Sequence, residues 1–237
     1  MKKYLLAAMI VMFLTNCSKE NSYLNSNKSS SHPSSIQNSS VLANNVNHIT
    51  GLNPQCKLKG LAMLVSEPNI SFYNQAIQRW LTARAGITGT WDGAGVFADR
   101  WYSDIIWKNA QQWTFHLSDN QAPKNGGWVF YMSNKVGAGE TRYLGVKKGE
   151  PIDDKNQEEL HAALYINPEH YNFEFIPTEI LKECTEPRGV IVNIDTGRML
   201  HLDNKGIDIT DVVLGDFYNP SKLQSYSDDY LWQAAPK

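Results

Sequence analysis

One short pattern is written three times down this chain, in the same order and at similar spacing. A β-rich run ends in Asn at Phe72-Tyr73-Asn74, at Phe130-Tyr131-Met132-Ser133-Asn134 and at Val190-Ile191-Val192-Asn193. Just downstream of each stands an Arg two residues before a Leu: Arg79-Trp80-Leu81, Arg142-Tyr143-Leu144, Arg198-Met199-Leu200. About thirty residues further on comes an aromatic signal: Gln111-Gln112-Trp113-Thr114-Phe115, Tyr171-Asn172-Phe173-Glu174-Phe175 and Tyr230-Leu231-Trp232-Gln233. Aromatic residues make up 11% of the chain, so a chance match at one position is cheap, whereas ordered matches at three positions in three copies are not. Self-similarity at a fixed period marks a repeated supersecondary unit, and such a unit sets the architecture before any single residue is read.

Each unit reads as short strands. Trp128-Val129-Phe130-Tyr131 and Val190-Ile191-Val192 are the aromatic and β-branched runs that fit a pleated, half-buried surface. Arg142-Tyr143-Leu144-Gly145-Val146 and Arg198-Met199-Leu200-His201-Leu202 alternate in the manner of a strand with one buried face. Turn chemistry separates them at Gly137-Ala138-Gly139, Asp195-Thr196-Gly197 and Asp203-Asn204-Lys205-Gly206. Helical pattern is scarce: residues 157–165 suit a short helix or a strand equally well. The expected fold is all-β, three units of about four strands. The period exceeds the usual solenoid range of roughly 20–50 residues, which favours an array closed on itself, without exposed edges.

These residues resemble the ricin B-type β-trefoil, whose three lobes each end in Gln-x-Trp. Gln111-Gln112-Trp113 matches that motif, Tyr230-Leu231-Trp232 keeps the Trp and Tyr171-Asn172-Phe173 keeps an aromatic. Val190 to Leu200, with Asn193, Thr196-Gly197-Arg198 and Leu200, resembles the first hairpin of such a lobe. The resemblance spans roughly residues 69–234. It implies three pseudo-repeats with Leu81, Leu144, Leu200, Trp113, Phe173 and Trp232 near one axis. It also implies carbohydrate binding, through an Asp directly after the Leu of the second signal. Thr82, Gly145 and His201 stand there instead, and none is acidic. The nearest substitutes are Asp203 with Tyr218 and Asn219 in the third lobe, and Trp91-Asp92 in the first. Five of the seven Trp fall between Trp80 and Trp113, more than one lobe's core needs, so Trp91, Trp101 and Trp107 are candidates for exposure as ligand anchors.

The first seventeen residues read as an address. Lys2-Lys3 is a positive start and Leu5 to Leu14 an apolar stretch too short to span a bilayer. Leu14-Thr15-Asn16-Cys17 resembles the lipobox of bacterial lipoproteins. That resemblance implies cleavage before Cys17, lipidation of its thiol with palmitate among the acyl groups, and anchoring in the cell envelope. Ser18 after the Cys points to outer-membrane sorting. Residues 18–54 hold ten Ser and eight Asn and read as a flexible tether, because they bury too little apolar surface to offset ordering entropy. Residues 55–237 carry all seven Trp and are long enough for one domain. Within it Cys56 and Cys184 form an even pair, either a disulfide or two buried thiols.

Patterns for other chemistry are weak. Net charge is −2 with Lys147-Lys148 as the one basic pair of the domain, so no footprint for nucleic acid exists. No His-Glu-x-x-His spacing, Gly-x-Ser-x-Gly elbow or phosphate loop is present, and Asp203, Asp208 and Asp211 lack the ligand order of a calcium loop. No cofactor, metal or catalytic residue is expected. The sequence therefore predicts a tethered binding protein, not an enzyme, that recognises carbohydrate or host-surface ligands. An alternative is a protein-docking module: a lipobox, a Ser-rich tether and a ricin-like trefoil also resemble the layout of the A subunit of cytolethal distending toxin. An inhibitor or immunity-type lipoprotein is a third reading.

Overall fold

The computed structural model describes residues 51–83, 92–101, 105–118, 121–135, 141–154, 156, 159–203 and 210–236. The segment 1–17 with Cys17, nearly all of the tether, and Trp91 lie outside the described residues, as does the side chain of Trp107. The fold is all-β, and among the described residues twelve strands join into one sheet. In chain order they are β1 (Ile70–Asn74), β2 (Arg79–Ala83), β3 (Ala94–Asp99), β4 (Thr114–Leu117), β5 (Trp128–Lys135), β6 (Thr141–Val146), β7 (Leu160–Tyr165), β8 (Phe173–Leu181), β9 (Glu186–Asn193), β10 (Arg198–Leu202), β11 (Thr210–Phe217) and β12 (Trp232–Pro236). The ambiguous stretch at 157–165 resolves as a strand, because Leu160 to Tyr165 pairs with β6 along its length.

The pairing scheme repeats with the sequence pattern. Counting four strands to a unit, the first strand of each unit pairs with the second, and the second with the third: β1–β2–β3, β5–β6–β7 and β9–β10–β11. The last strand of a unit pairs with the first strand of the next: β4–β5, β8–β9 and β12–β1. Within a unit the first and last strands meet as well, as β5–β8, β9–β12 and the Ile70–Trp113 bridge. The bridge rests on two bonds, from the Ile70 amide to the Trp113 carbonyl at 2.8 Å and from the Trp113 amide to the Ile70 carbonyl at 2.7 Å. The six first and last strands thus close a ring. The three third strands, β3, β7 and β11, also pair with one another over one end of it. Closure leaves few free edges, the hazard an all-β chain must manage.

The recurring Asn explains why the pattern is so strict. The Asn74 side-chain amide donates to the carbonyls of Asp228, Asp229 and Leu231 at 3.1, 3.0 and 3.2 Å. Asn134 does the same to Asn109, Ala110 and Gln112 at 3.1, 3.3 and 2.7 Å, and Asn193 to His170 and Asn172 at 2.7 and 3.4 Å. Each Asn sits on the first strand of one unit. Each clasps the loop that leads into the aromatic residue of an adjoining last strand: Trp232, Trp113 and Phe173. The six axial candidates, Leu81, Leu144, Leu200, Trp113, Phe173 and Trp232, are all fully buried. Two of the three Leu–aromatic pairs are tied by hydrogen bonds: the Trp113 indole N–H donates to the Leu81 carbonyl at 3.0 Å and that of Trp232 to the Leu200 carbonyl at 2.9 Å. Phe173 has no N–H, so the middle unit relies on packing.

A helix that the sequence reading did not anticipate precedes the repeats: α1 (Pro54–Ser66). The Asn53 side chain accepts the Gln55 amide at 2.8 Å, and Pro54 stands in the first turn, where a missing N–H costs nothing. Met63 and Leu64 enter the main core beside Trp128 and Phe175. Gly60 faces Trp128 and Ile180, and a Cβ there would stand 3.4 Å from each. Cys56 on α1 is disulfide-bonded to Cys184 in the β8–β9 turn, which staples the helix to the sheet. A second short helix, α2 (Ile105–Ala110), lies between β3 and β4.

A candidate binding surface of aromatic residues

The three positions where the resemblance expects an acid are all taken up by structure. Thr82 is buried; its hydroxyl donates to the Trp80 carbonyl at 2.8 Å and accepts from the Gln111 side chain at 3.1 Å. Gly145 leaves no room for any side chain, because a Cβ would come within 2.7 Å of the Glu169 carbonyl. His201 is buried beneath Tyr230, the rings stacked 4.7 Å apart, with Glu159 3.4 Å from its Nε2.

The substitutes do not converge either. Asp203 follows β10, and its amide donates to the Asp211 carbonyl at the start of β11. Tyr218 and Asn219 follow the far end of β11, because Arg198 pairs with Phe217 while Leu202 pairs with Val212. Five strand residues, about 17 Å at the usual rise, therefore separate Asp203 from the other two. Asn219 accepts the Ser221 amide at 3.0 Å and caps a 3-10 turn. Tyr218 packs on a small apolar cluster, and burial first, then Tyr226 and Glu174, push its phenol up to about 12. Asp92 is an ion-pair partner of Arg142 at 2.9 Å and accepts the Ile166 amide at 2.8 Å, so it ties the first unit to the second. Asn219, Tyr218 and Asp92 thus each make structural contacts.

What the strands do bring together is a transverse row on the outside of the first unit. Residues paired across antiparallel strands share a face. Tyr73 of β1 lies opposite Gln233 of β12 on one side and Trp80 of β2 on the other, and Trp80 lies opposite Asp99 of β3. The Tyr73 and Trp80 rings are 4.8 Å apart, and Trp101 meets Trp80 edge-on at 5.1 Å. All three rings are half-buried, so Trp101 is not the free-standing anchor expected from the sequence but the end of a packed row. Gln75 donates to the Gln233 side chain at 3.2 Å beside it. A row of amide, phenol and indole offers apolar ring faces next to hydrogen-bonding groups, the mix that an amphipathic ligand needs. The sequence showed the Trp enrichment; only the strand register showed that Tyr73 and Gln233 belong to the row.

Among the described residues no group of three or more His, Cys, Asp or Glu is placed to hold a metal ion, and no helix is long and apolar enough to cross a membrane. No protein-family model and no curated protein sequence matches the chain. Among solved structures it is similar to a designed threefold-symmetric protein, ThreeFoil, with 13% identity, TM-score 0.49, and 72% of this chain and all of that one covered. It is also similar to the mdaA-1 domain, with 12% identity, TM-score 0.46, and 72% of this chain and 90% of that one covered. A third is the HCR/D F1240A mutant, with 13% identity, TM-score 0.46, and 72% of this chain but 42% of that one covered.

Proposed function

We propose that the chain is a ricin-type β-trefoil with three pseudo-repeats, and that it works as a binding module on a lipid-anchored bacterial lipoprotein. The observation that carries the binding reading is the half-buried row Tyr73–Trp80–Trp101 with Gln75 and Gln233 at its edge. Its rings suit the apolar face of a sugar or another amphipathic group on a host surface, and its amides suit hydroxyls. A binding role, not catalysis, agrees with side chains engaged mostly in structural bonds. A glycan array with the isolated domain tests this: the expected result is millimolar-to-micromolar binding of at least one glycan, lost in Trp101→Ala and Tyr73→Ala. Retention of binding in both variants refutes the site.

The anchoring half of the proposal rests on Leu14-Thr15-Asn16-Cys17. Labelled palmitate is expected to enter the wild-type protein and not Cys17→Ser, since the thiol is the acceptor. Several acyl chains on one residue hold a protein stably to a bilayer. Lipidation of Cys17→Ser, or release of the wild type as soluble protein, overturns it.

A further inference from the structure

The pseudo-threefold arrangement sets three equivalent patches on the outer wall; that of the third unit is sealed, and those of the first and second stay half-open. The pairs Ser71–Ala235, Tyr131–His116 and Val190–Ile176 occupy corresponding places where a first strand meets the last strand of an adjoining unit. One step along each first strand stand Tyr73, Ser133 and Val192, opposite Trp80, Tyr143 and Met199. In the third unit these places are aliphatic, and residues 218–231 fold over them: Leu223 is buried against Ile176, Val190, Val192 and Met199, with Tyr218, Tyr226, Tyr230 and Leu231 packed around it. This strap is fastened by Asp228 to Arg188 at 2.7 Å. In the first unit Trp101, from the segment before β4, packs on Trp80.

The corresponding segment of the second unit, residues 166–172, is half as long, and its Tyr171 stands against Tyr131. The patch itself is His116, Tyr131, Ser133 and Tyr143 in place of the four aliphatic residues. His116 stacks on Tyr131 at 4.7 Å and 11°, its Nε2 is 2.8 Å from the Ser133 hydroxyl, and Tyr143 and Tyr171 each stand 5.9 Å from Tyr131. Tyr171 is 37% exposed, and the other rings and His116 are half-buried. Burial holds the His116 imidazole below its usual range, so the centre of the patch is neutral at pH 7. Lys135, two residues along the same face from Ser133, gives it an exposed basic rim.

We propose that this patch is a docking site for a protein partner, and that the partner supplies from outside what the strap supplies in the third unit: a turn bearing Tyr and Leu side chains with acidic flanks. The molecule shows the occupant's shape in the strap, where Tyr226 and Tyr230 flank the adjacent Asp228 and Asp229. The change from aliphatic to Tyr and His fits an occupant that leaves, because these residues combine large contact area with polar groups that water can satisfy when the partner is gone. Lys135 stands at the opposite end of the patch from the place that Arg188 takes in the third unit, where Val129 is buried instead, so an acidic flank is selected at the Lys135 end. This site is independent of the first-unit row.

Panning a random twelve-residue peptide library against the isolated domain tests it. Selected peptides are expected to carry Tyr or Leu beside Asp or Glu, and to bind Tyr131→Ser and Tyr171→Ser at least tenfold more weakly than wild type. Lys135→Glu is expected to weaken acidic peptides while leaving the urea midpoint unchanged. Tyr171→Ser serves as the variant least able to disturb folding, since its ring is the most exposed. Selected peptides that bind both Tyr variants as well as wild type overturn the proposal. So does a panel of neutral methyl glycosides that shifts the His116 and Tyr131 NMR signals when no selected peptide does; the patch is then a sugar site.

Discussion

Replacing Asn134 with Ala tests the clasp that holds the pseudo-repeats together. Asn134 is 2% exposed, and its amide serves three carbonyls, one of them fully buried. Ala removes the donors and leaves the acceptors in place. A buried acceptor without a donor costs about 1–3 kcal/mol, and water reaches the two partly buried carbonyls only in part, so the total is about 2–4 kcal/mol. For a domain of this size each kcal/mol lowers Tm by roughly 2–4 °C, so the expected fall is about 5–15 °C. The assay is urea unfolding, read as a lower midpoint at unchanged slope, since the compactness of the folded state is not expected to change. Asn74→Ala and Asn193→Ala are expected to cost similar amounts. Asn134→Asp is sharper: it keeps the shape but turns a carboxylate toward three carbonyl oxygens. It should be worse than Ala at pH 7 and recover part of the loss as pH falls toward about 4, the unfolded value, because burial against carbonyl oxygens raises its folded-state pKa above that. If all three Ala variants cost less than about 0.5 kcal/mol, the range of an ordinary surface change, the Asn residues do not organise the fold.

Three further outcomes are expected. Trp232→Phe leaves the buried Leu200 carbonyl without its donor and should cost about 1–3 kcal/mol from that bond alone, visible in the urea midpoint, with Trp113→Phe behaving alike. Cys184→Ser opens the link between α1 and the β8–β9 turn and should lower stability by about 2–4 kcal/mol, with α1 amides losing hydrogen-exchange protection before those of the ring strands. Tyr218, at about 12 in the folded protein against 10 when unfolded, favours folding fully below pH 10; that contribution is lost as pH rises from 10 to 12, because the unfolded chain gives up the proton first. A thermal melt that does not fall across that window in wild type, or falls equally in Tyr218→Phe, refutes the assignment.

The parts of this fold legible in the sequence are those that the pseudo-threefold pattern makes interchangeable. Asn74, Asn134 and Asn193 do one job in three places, as do Leu81, Leu144 and Leu200, so each copy supports the reading of the others. Helix α1 escaped for the converse reason: it stands outside the repeat, and its cues, Asn53 and Pro54, are the residues that also end a polar tether. The separation of the third-unit residues was not legible. Asp203 and Tyr218 are near in sequence, but they flank the two strands of one hairpin from opposite ends, and spacing alone does not tell the tip of a hairpin from its base. The Trp-rich first unit was visible, yet the row needed the β12–β1–β2–β3 register, which draws Gln233 from the other end of the chain to Tyr73.

Function has room to diverge on the outward face of the ring strands. Inward positions on the ring strands face one shared core, so they tolerate little variety: Phe72, Phe130 and Ile191 are fully buried in it. The outward positions one residue away, Ser71, Tyr131 and Val190, share a backbone setting but not a chemistry. Ser71 is buried and its hydroxyl donates to the Gln111 carbonyl at 2.9 Å, Val190 is sealed under the strap, and Tyr131 remains half-open among His116, Tyr143 and Tyr171. Packing demands cannot explain that divergence, since the three sites are set by equivalent strand pairings. Between the third unit and the second, the covering segment and the side chains beneath it change together: a long strap over aliphatic residues, a short one beside tyrosines. A patch left open only by a shortened loop would still be aliphatic and would invite aggregation; this one carries hydroxyls and a neutral imidazole, which suits a surface that stays wet until a partner arrives.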